Sequence, residues 1–136
     1  MIEEKDVITL RVPYPDSAGE LAKKSHMYIC FRVPGPACEL IKCQSFKPYH
    51  LLSNSLPVRR IVEQPDPNRS PFRHPTVIDL DKLFSATRSL FPDRLKAAQG
   101  IGDDLFALIQ NNVEEAIERV TLSDAELRAV NPALLT

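Results

Sequence analysis

Leu40-Ile41-Lys42-Cys43-Gln44-Ser45-Phe46-Lys47-Pro48 is the stretch on which the reading of this chain turns. Leu40, Ile41, Cys43 and Phe46 suit a buried strand, although their alternation is imperfect. Lys42, Gln44, Ser45 and Lys47 offer donors toward its exit, and Pro48 stops the ladder because it has no N–H to give. The run predicts a strand whose end is the first place to look for chemistry.

Upstream, His26-Met27-Tyr28-Ile29-Cys30-Phe31-Arg32-Val33 is β-branched, aromatic and mostly apolar, the composition of a central strand. Pro34-Gly35-Pro36 turns the chain, so the two runs are expected to pair as an antiparallel hairpin. Asp6 to Val12 alternates Ile8, Leu10 and Val12 with Thr9 and Arg11, the period of a half-buried strand. Pro13 to Gly19 carries turn chemistry, and Glu20 to Ser25 is expected to continue that loop with the basic pair Lys23-Lys24.

Downstream, Tyr49 to Pro75 is rich in proline around one short strand-like segment, Pro57 to Glu63. A loop of this length in a compact domain is usually functional or mobile. Asn68 to His74 sets Arg69, Arg73 and His74 around Phe72, while His50 and His74 have no carboxylate partner at a recognisable spacing. Thr76 to Phe84 reads as one more strand. After Gly100-Ile101-Gly102 the period lengthens to about 3.6: Asp103 and Asp104 open a helix, and Leu105, Ile109, Val113, Ala116 and Val120 trace its apolar stripe. Ser123 with Glu126 forms a capping box for a last helix, Asp124 to Val130, which Asn131-Pro132 ends. The outline is α+β: a single domain over residues 1–136, with strands across about 6–84 and helix across about 103–130.

No run approaches the roughly 18 apolar residues of a membrane span, and MIEEKDVITL has neither a basic nor an apolar leader region, so a cytoplasmic protein without membrane partners is expected. The three cysteines, Cys30, Cys38 and Cys43, include no C-x-x-C pair; they signal neither a disulfide framework nor a metal site. A net charge of −1 conceals an asymmetry. Residues 40–96 carry ten Lys/Arg against five Asp/Glu, whereas residues 97–136 carry two against seven. The middle of the chain is either a polyanion surface or a solvated face without a ligand.

Several of these stretches together resemble the MazF/PemK family of toxin endoribonucleases. Asp6-Val7-Ile8 is similar to the family's opening strand, followed in order by Pro13, Pro15, Gly19, Glu20 and Lys24 and then by Tyr28-Ile29-Cys30. Thr76-Val77-Ile78-Asp79-Leu80-Asp81-Lys82-Leu83 resembles a later family strand, and Gly100-Ile101-Gly102 its glycine-led final helix. The resemblance implies a small SH3-like antiparallel β-barrel with C-terminal helix, a homodimer, and an endoribonuclease that acts on single-stranded RNA without a cofactor and is neutralised by an antitoxin. One departure bears on mechanism. Where the family has Arg-Pro at the head of the second strand, this chain has Ser25-His26-Met27, while Ser45 falls close to the family's hydroxyl-bearing position after the third strand.

Metal-independent cleavage uses the 2′-OH of the substrate as nucleophile, so the protein supplies a base, an acid and cations. His26 suits proton transfer. Ser45 suits a non-bridging oxygen, and Lys47 suits the developing charge or the leaving oxygen; in a hairpin the head of one strand lies near the tail of its partner, which brings His26 toward Ser45. Lys24, Gln44, Arg59, Arg60, Arg69 and Arg73 are the candidate backbone contacts, with Phe72 as a base-stacking platform. Each residue also has a purely structural reading: Ser45 and Gln44 as strand-end hydrogen bonders, Phe72 as an anchor pinning its loop to the core. Two other functions compete, a catalytically inactive barrel that binds nucleic acid or protein, and an acidic helical interaction protein resting on residues 97–136.

Overall fold

A computed structural model describes residues 1–48 and 56–135; His50 and its neighbours lie outside the described residues. In chain order the elements are β1 (Val7–Leu10), α1 (Glu20–Lys23), β2 (His26–Arg32), β3 (Ala37–Ser45), β4 (Arg60–Glu63), β5 (Thr76–Asp79), β6 (Lys82–Thr87), α2 (Asp103–Asn112), β7 (Glu118–Thr121) and α3 (Asp124–Val130).

The expected hairpin forms. β2 and β3 pair antiparallel, with Met27 opposite Cys43 and Cys30 opposite Leu40, and Gly35 takes the positive φ of 63° that their turn requires. The pair is buried on both faces. Tyr28, Cys30, Cys38 and Leu40 enter one core cluster with Ile8, Leu10 and Phe84; Ile29, Phe31, Ile41 and Cys43 enter a second with Phe72, Ile78, Leu105 and Ile109. Burial on both sides is why the alternation in residues 40–46 is imperfect: apolar residues are needed at both parities. All three cysteines are buried and free.

β3 organises the sheet. Its first half pairs with β6 (Leu40 opposite Phe84) and its last residues pair with β5 (Ser45 opposite Thr76), while β2 follows it along most of its length. The order is β1-β2-β3-β5-β4, with β6 on the other half of β3 and β7 beyond it. Every pairing is antiparallel except β6 with β7, which is parallel. Among the described residues no ladder joins the β1 edge to the β4 edge, so the seven-stranded sheet is open. Arg32 and Arg119 each reach the buried Glu39 carboxylate at 2.8 Å, which ties β7 to the far end of the hairpin.

Four expectations are corrected. The stretch Thr76 to Phe84 is two strands, not one: the Asp79 carboxylate accepts the Asp81 N–H at 2.8 Å, an Asx turn that breaks the run. Residues 20–23 form a short helix in place of the expected loop. The strand expected from Pro57 starts only at Arg60, because the Asp81 carboxylate first gathers the Val58 and Arg59 N–H groups at 2.9 Å. The helix beginning at Asp103 ends at Asn112, and its expected stripe does not run on through Val113, Ala116 and Val120. Asn111-Asn112 favours a helix end, Ala116 is exposed, and Val120 belongs to β7, where it pairs with Phe84. The last helix has the expected bounds, and the Ser123 hydroxyl accepts the Glu126 N–H at 3.4 Å.

Candidate functional site

β2 begins, β3 ends and β5 begins at the same end of the sheet, and a cavity of about 570 Å³ opens there. Thr9 of β1, Met27, Cys43, Phe72 and Thr76 contribute to its walls. Around them stand Lys24, Ser25, His26, Gln44, Ser45, Lys47, Arg73 and His74. Five of these lining side chains are basic and none is a carboxylate.

Seven of the ten residues singled out in the sequence meet at this cavity: Lys24, His26, Gln44, Ser45, Lys47, Phe72 and Arg73. Three do not. Arg60 lies opposite Asp79, three residues along β4 from the Glu63–Thr76 pair, which is about 10 Å from the cavity end of the strand. Its guanidinium donates to the Pro57 carbonyl at 2.9 Å, and Arg59 pairs with Glu114 at 2.6 Å. Arg69 is held by the buried Glu63 carboxylate at 2.5 Å and borders a different cavity of about 460 Å³, lined by Asp66, Asn68, Gly102, Asp103 and Asp104. Phe72 is only 5% exposed, within the second core cluster. Its ring anchors the 70–76 segment and offers little face on which a base could stack.

The hairpin register sharpens the relation between His26 and Ser45. Continued by one pair from Met27–Cys43, it sets His26 beside Gln44 and Ser25 beside Ser45. Successive side chains in a strand point to opposite faces, so His26 and Ser45 border the cavity from opposite sides of the sheet.

The His26 ring is half-buried, and its Nδ1 lies 3.1 Å from the Lys24 carbonyl. A carbonyl oxygen only accepts, so Nδ1 carries the hydrogen and Nε2 keeps the lone pair in the neutral ring. Burial lowers the pKa of His26 below 6.5, and the charges of Lys42 and Lys24 act in the same direction against the opposing hydrogen bond and Glu20. The imidazole is thereby held in the form that accepts a proton. The cavity thiol is different: burial pushes Cys43 far above the usual thiol range, with Asp79 adding to the effect, so it is not a nucleophile.

His74 is the residue that sequence reasoning set aside. The β3–β5 ladder continues past Ser45–Thr76 through a 2.7 Å hydrogen bond from the Phe46 N–H to the Pro75 carbonyl, which carries Lys47 to the level of His74. The Thr76 hydroxyl donates to the His74 carbonyl at 2.9 Å. The signal that marks it is its place two residues before β5, matching that of Lys47 two residues after β3.

Among the described residues no group of three or more His, Cys, Asp or Glu side chains is placed to hold a metal ion, and no helix is long and apolar enough to cross a membrane. Compared with known proteins, the chain matches no family model, no curated protein and no solved structure. The likeness to the MazF/PemK family rests on the residues quoted above.

Proposed function

We propose that the cavity binds the backbone of single-stranded RNA and cleaves it by attack of the substrate's own 2′-OH. The observation that carries this reading is the lining: Lys24, His26, Lys47, Arg73 and His74 converge on one concavity, and no carboxylate is among the described residues that line it. A surface of this kind attracts a polyanion, and the concave walls strengthen the field over what the same charges produce on a flat face.

In this reading neutral His26 takes the 2′-OH proton at Nε2. Ser45 hydrogen-bonds a non-bridging oxygen, and Lys47 stabilises the charge that builds on the phosphorane. Lys24 and Arg73 hold the flanking phosphates, with Gln44 and Thr76 as hydrogen-bonding neighbours. The 2′-OH makes the site selective for RNA, because DNA has no internal nucleophile. The wider reading, an SH3-like MazF/PemK-type toxin that dimerises and is held in check by an antitoxin, is supported by the quoted motifs and by the outer edge of β4, which pairs with no further strand among the described residues.

The test is incubation of the full chain and of His26→Ala with a long single-stranded RNA, and with DNA of the same sequence, in EDTA. Discrete RNA cuts with cyclic phosphate ends are expected, slowed about 10²- to 10⁴-fold in the variant while RNA binding persists. DNA should stay intact. RNA bound but uncut by the wild type would overturn the cleavage step and leave a binding module; RNA neither bound nor cut would overturn the whole reading.

A further inference from the structure

The geometry points to His74 as the general acid of this site, the group that protonates the leaving 5′-oxygen opposite His26. The inference rests on the proposed RNA cleavage and adds a residue that neither the sequence pattern nor the family likeness supplies.

In-line displacement at phosphorus places the attacking and leaving oxygens on opposite sides, so one group removes a proton on one side while another donates on the other. The 2′-O–P bond forms as the P–5′-O bond breaks. The 2′-OH proton passes to His26, and the 5′-oxygen leaves with a proton from the His74 imidazolium. Nothing is oxidised or reduced, and no co-reactant is needed.

The fold meets this requirement with two imidazoles that flank β3. His26 heads β2 on one side of it, level with Gln44, and His74 precedes β5 on the other, level with Lys47, so their backbones stand two strand spacings across and three residues along the sheet, roughly 14 Å apart. His26 lies on the Gln44 face by register, and His74, from the bend that leads into β5, lines the same cavity. A phosphodiester bound in that cavity lies between the two imidazoles.

His74 is also held in place. Phe72, buried two residues before it, fixes the segment on one side; Thr76, in β5, fixes it on the other. The Pro75 carbonyl accepts the Phe46 N–H, which ties the segment to the end of β3, and the His74 carbonyl accepts the Thr76 hydroxyl, which ties it to β5. An exposed ring on so constrained a segment is what a proton donor needs: access to substrate with a fixed origin. The lowered pKa of His26 fits the division of roles, since it keeps the other imidazole in the accepting form.

The experiment compares two RNA substrates of one sequence, one natural and one with sulfur replacing the bridging 5′-oxygen at the cut. A thiolate leaves without protonation, so only the natural substrate needs the acid. His74→Ala is expected to slow cleavage of natural RNA about 10²- to 10⁴-fold and of the sulfur substrate less than tenfold. His26→Ala should slow both. His74→Gln, which keeps a polar side chain of similar size, should behave as His74→Ala and guards against a folding defect. Equal losses on the two substrates would overturn the role of His74 while leaving the cleavage reading intact. Natural RNA left whole by the wild type would overturn both.

Discussion

Two concavities of this molecule are bordered by arginine, and they differ in what the arginine meets. At the ends of β2 and β3, Arg73 shares a lining with Lys24, Lys47 and two histidines and with no acid. Beside the start of α2, Arg69 stands among Asp66, Asp103 and Asp104 and is clasped by Glu63, while Asp103 is itself paired with Lys5 at 2.8 Å. Positive charge in the first place lines a cavity; in the second it is paired with carboxylates of the fold. Whether a cation faces a cavity or a carboxylate is a property of tertiary structure.

Breaking the second region should cost the most stability. Arg69→Ala leaves the 8% exposed Glu63 carboxylate without its partner, and a loss of about 2–4 kcal/mol in denaturant unfolding is expected, reduced from the fully buried case because Arg69 is itself 31% exposed. RNA affinity of the folded variant should be unchanged. The reverse pattern is expected from the double variant Lys24→Ala/Arg73→Ala: stability within about 0.5 kcal/mol of wild type, and RNA binding weakened with a salt dependence shallower by roughly 0.7 per lost phosphate contact. Titrations at several salt concentrations read both quantities.

Thr76→Val sharpens the comparison by disturbing the support of the first region without touching its charge. Losing the hydrogen bond to the His74 carbonyl is expected to cost about 1 kcal/mol and to slow RNA cleavage more than it weakens binding, which a KM-against-kcat split would show. The smallest effect belongs to Arg59→Ala. Its pair with Glu114 is half-exposed at both ends, so a change of about 0–1 kcal/mol and none in RNA affinity is expected.

His26 gives the first region a pH signature. Its folded-state pKa lies below 6.5, so the neutral form stabilises the fold. That contribution is complete above the unfolded value and is lost as pH falls through the folded one. Wild-type stability measured below pH 6.5 should therefore decline more steeply than that of His26→Gln.

Much of this was legible in the chain. The β2–β3 hairpin, its turn at Gly35 and the last helix could be read because their signals are local: apolar runs, a Pro-Gly-Pro turn, a capping serine. That His26 and Ser45 lie at one end of the sheet followed from the hairpin, but the register that puts them on opposite faces did not. What the sequence hid depends on distant partners. Arg59, Arg60 and Arg69 look like Arg73 until Glu114, Pro57 and Glu63 are seen beside them. His74 gains its position from the pairing of Phe46 with Pro75, which no local pattern announces. The helix stripe ran on past Asn112 because Val113 and Val120 keep helical spacing by coincidence while β6 recruits the second of them into a strand. Asp79 and Asp81 mimicked the polar face of one strand while making the turn between two.

The contrast between the two concavities can be tested in one titration. Backbone amide shifts of the protein would be followed by NMR as a single-stranded 2′-O-methyl RNA, which binds but cannot attack itself, is added. The expected result is a shifted set confined to Thr9 and residues 24–27, 43–47 and 72–76, with 66–69 and 102–104 unmoved. Shifts centred on the second group, or none at saturating RNA, would contradict the account.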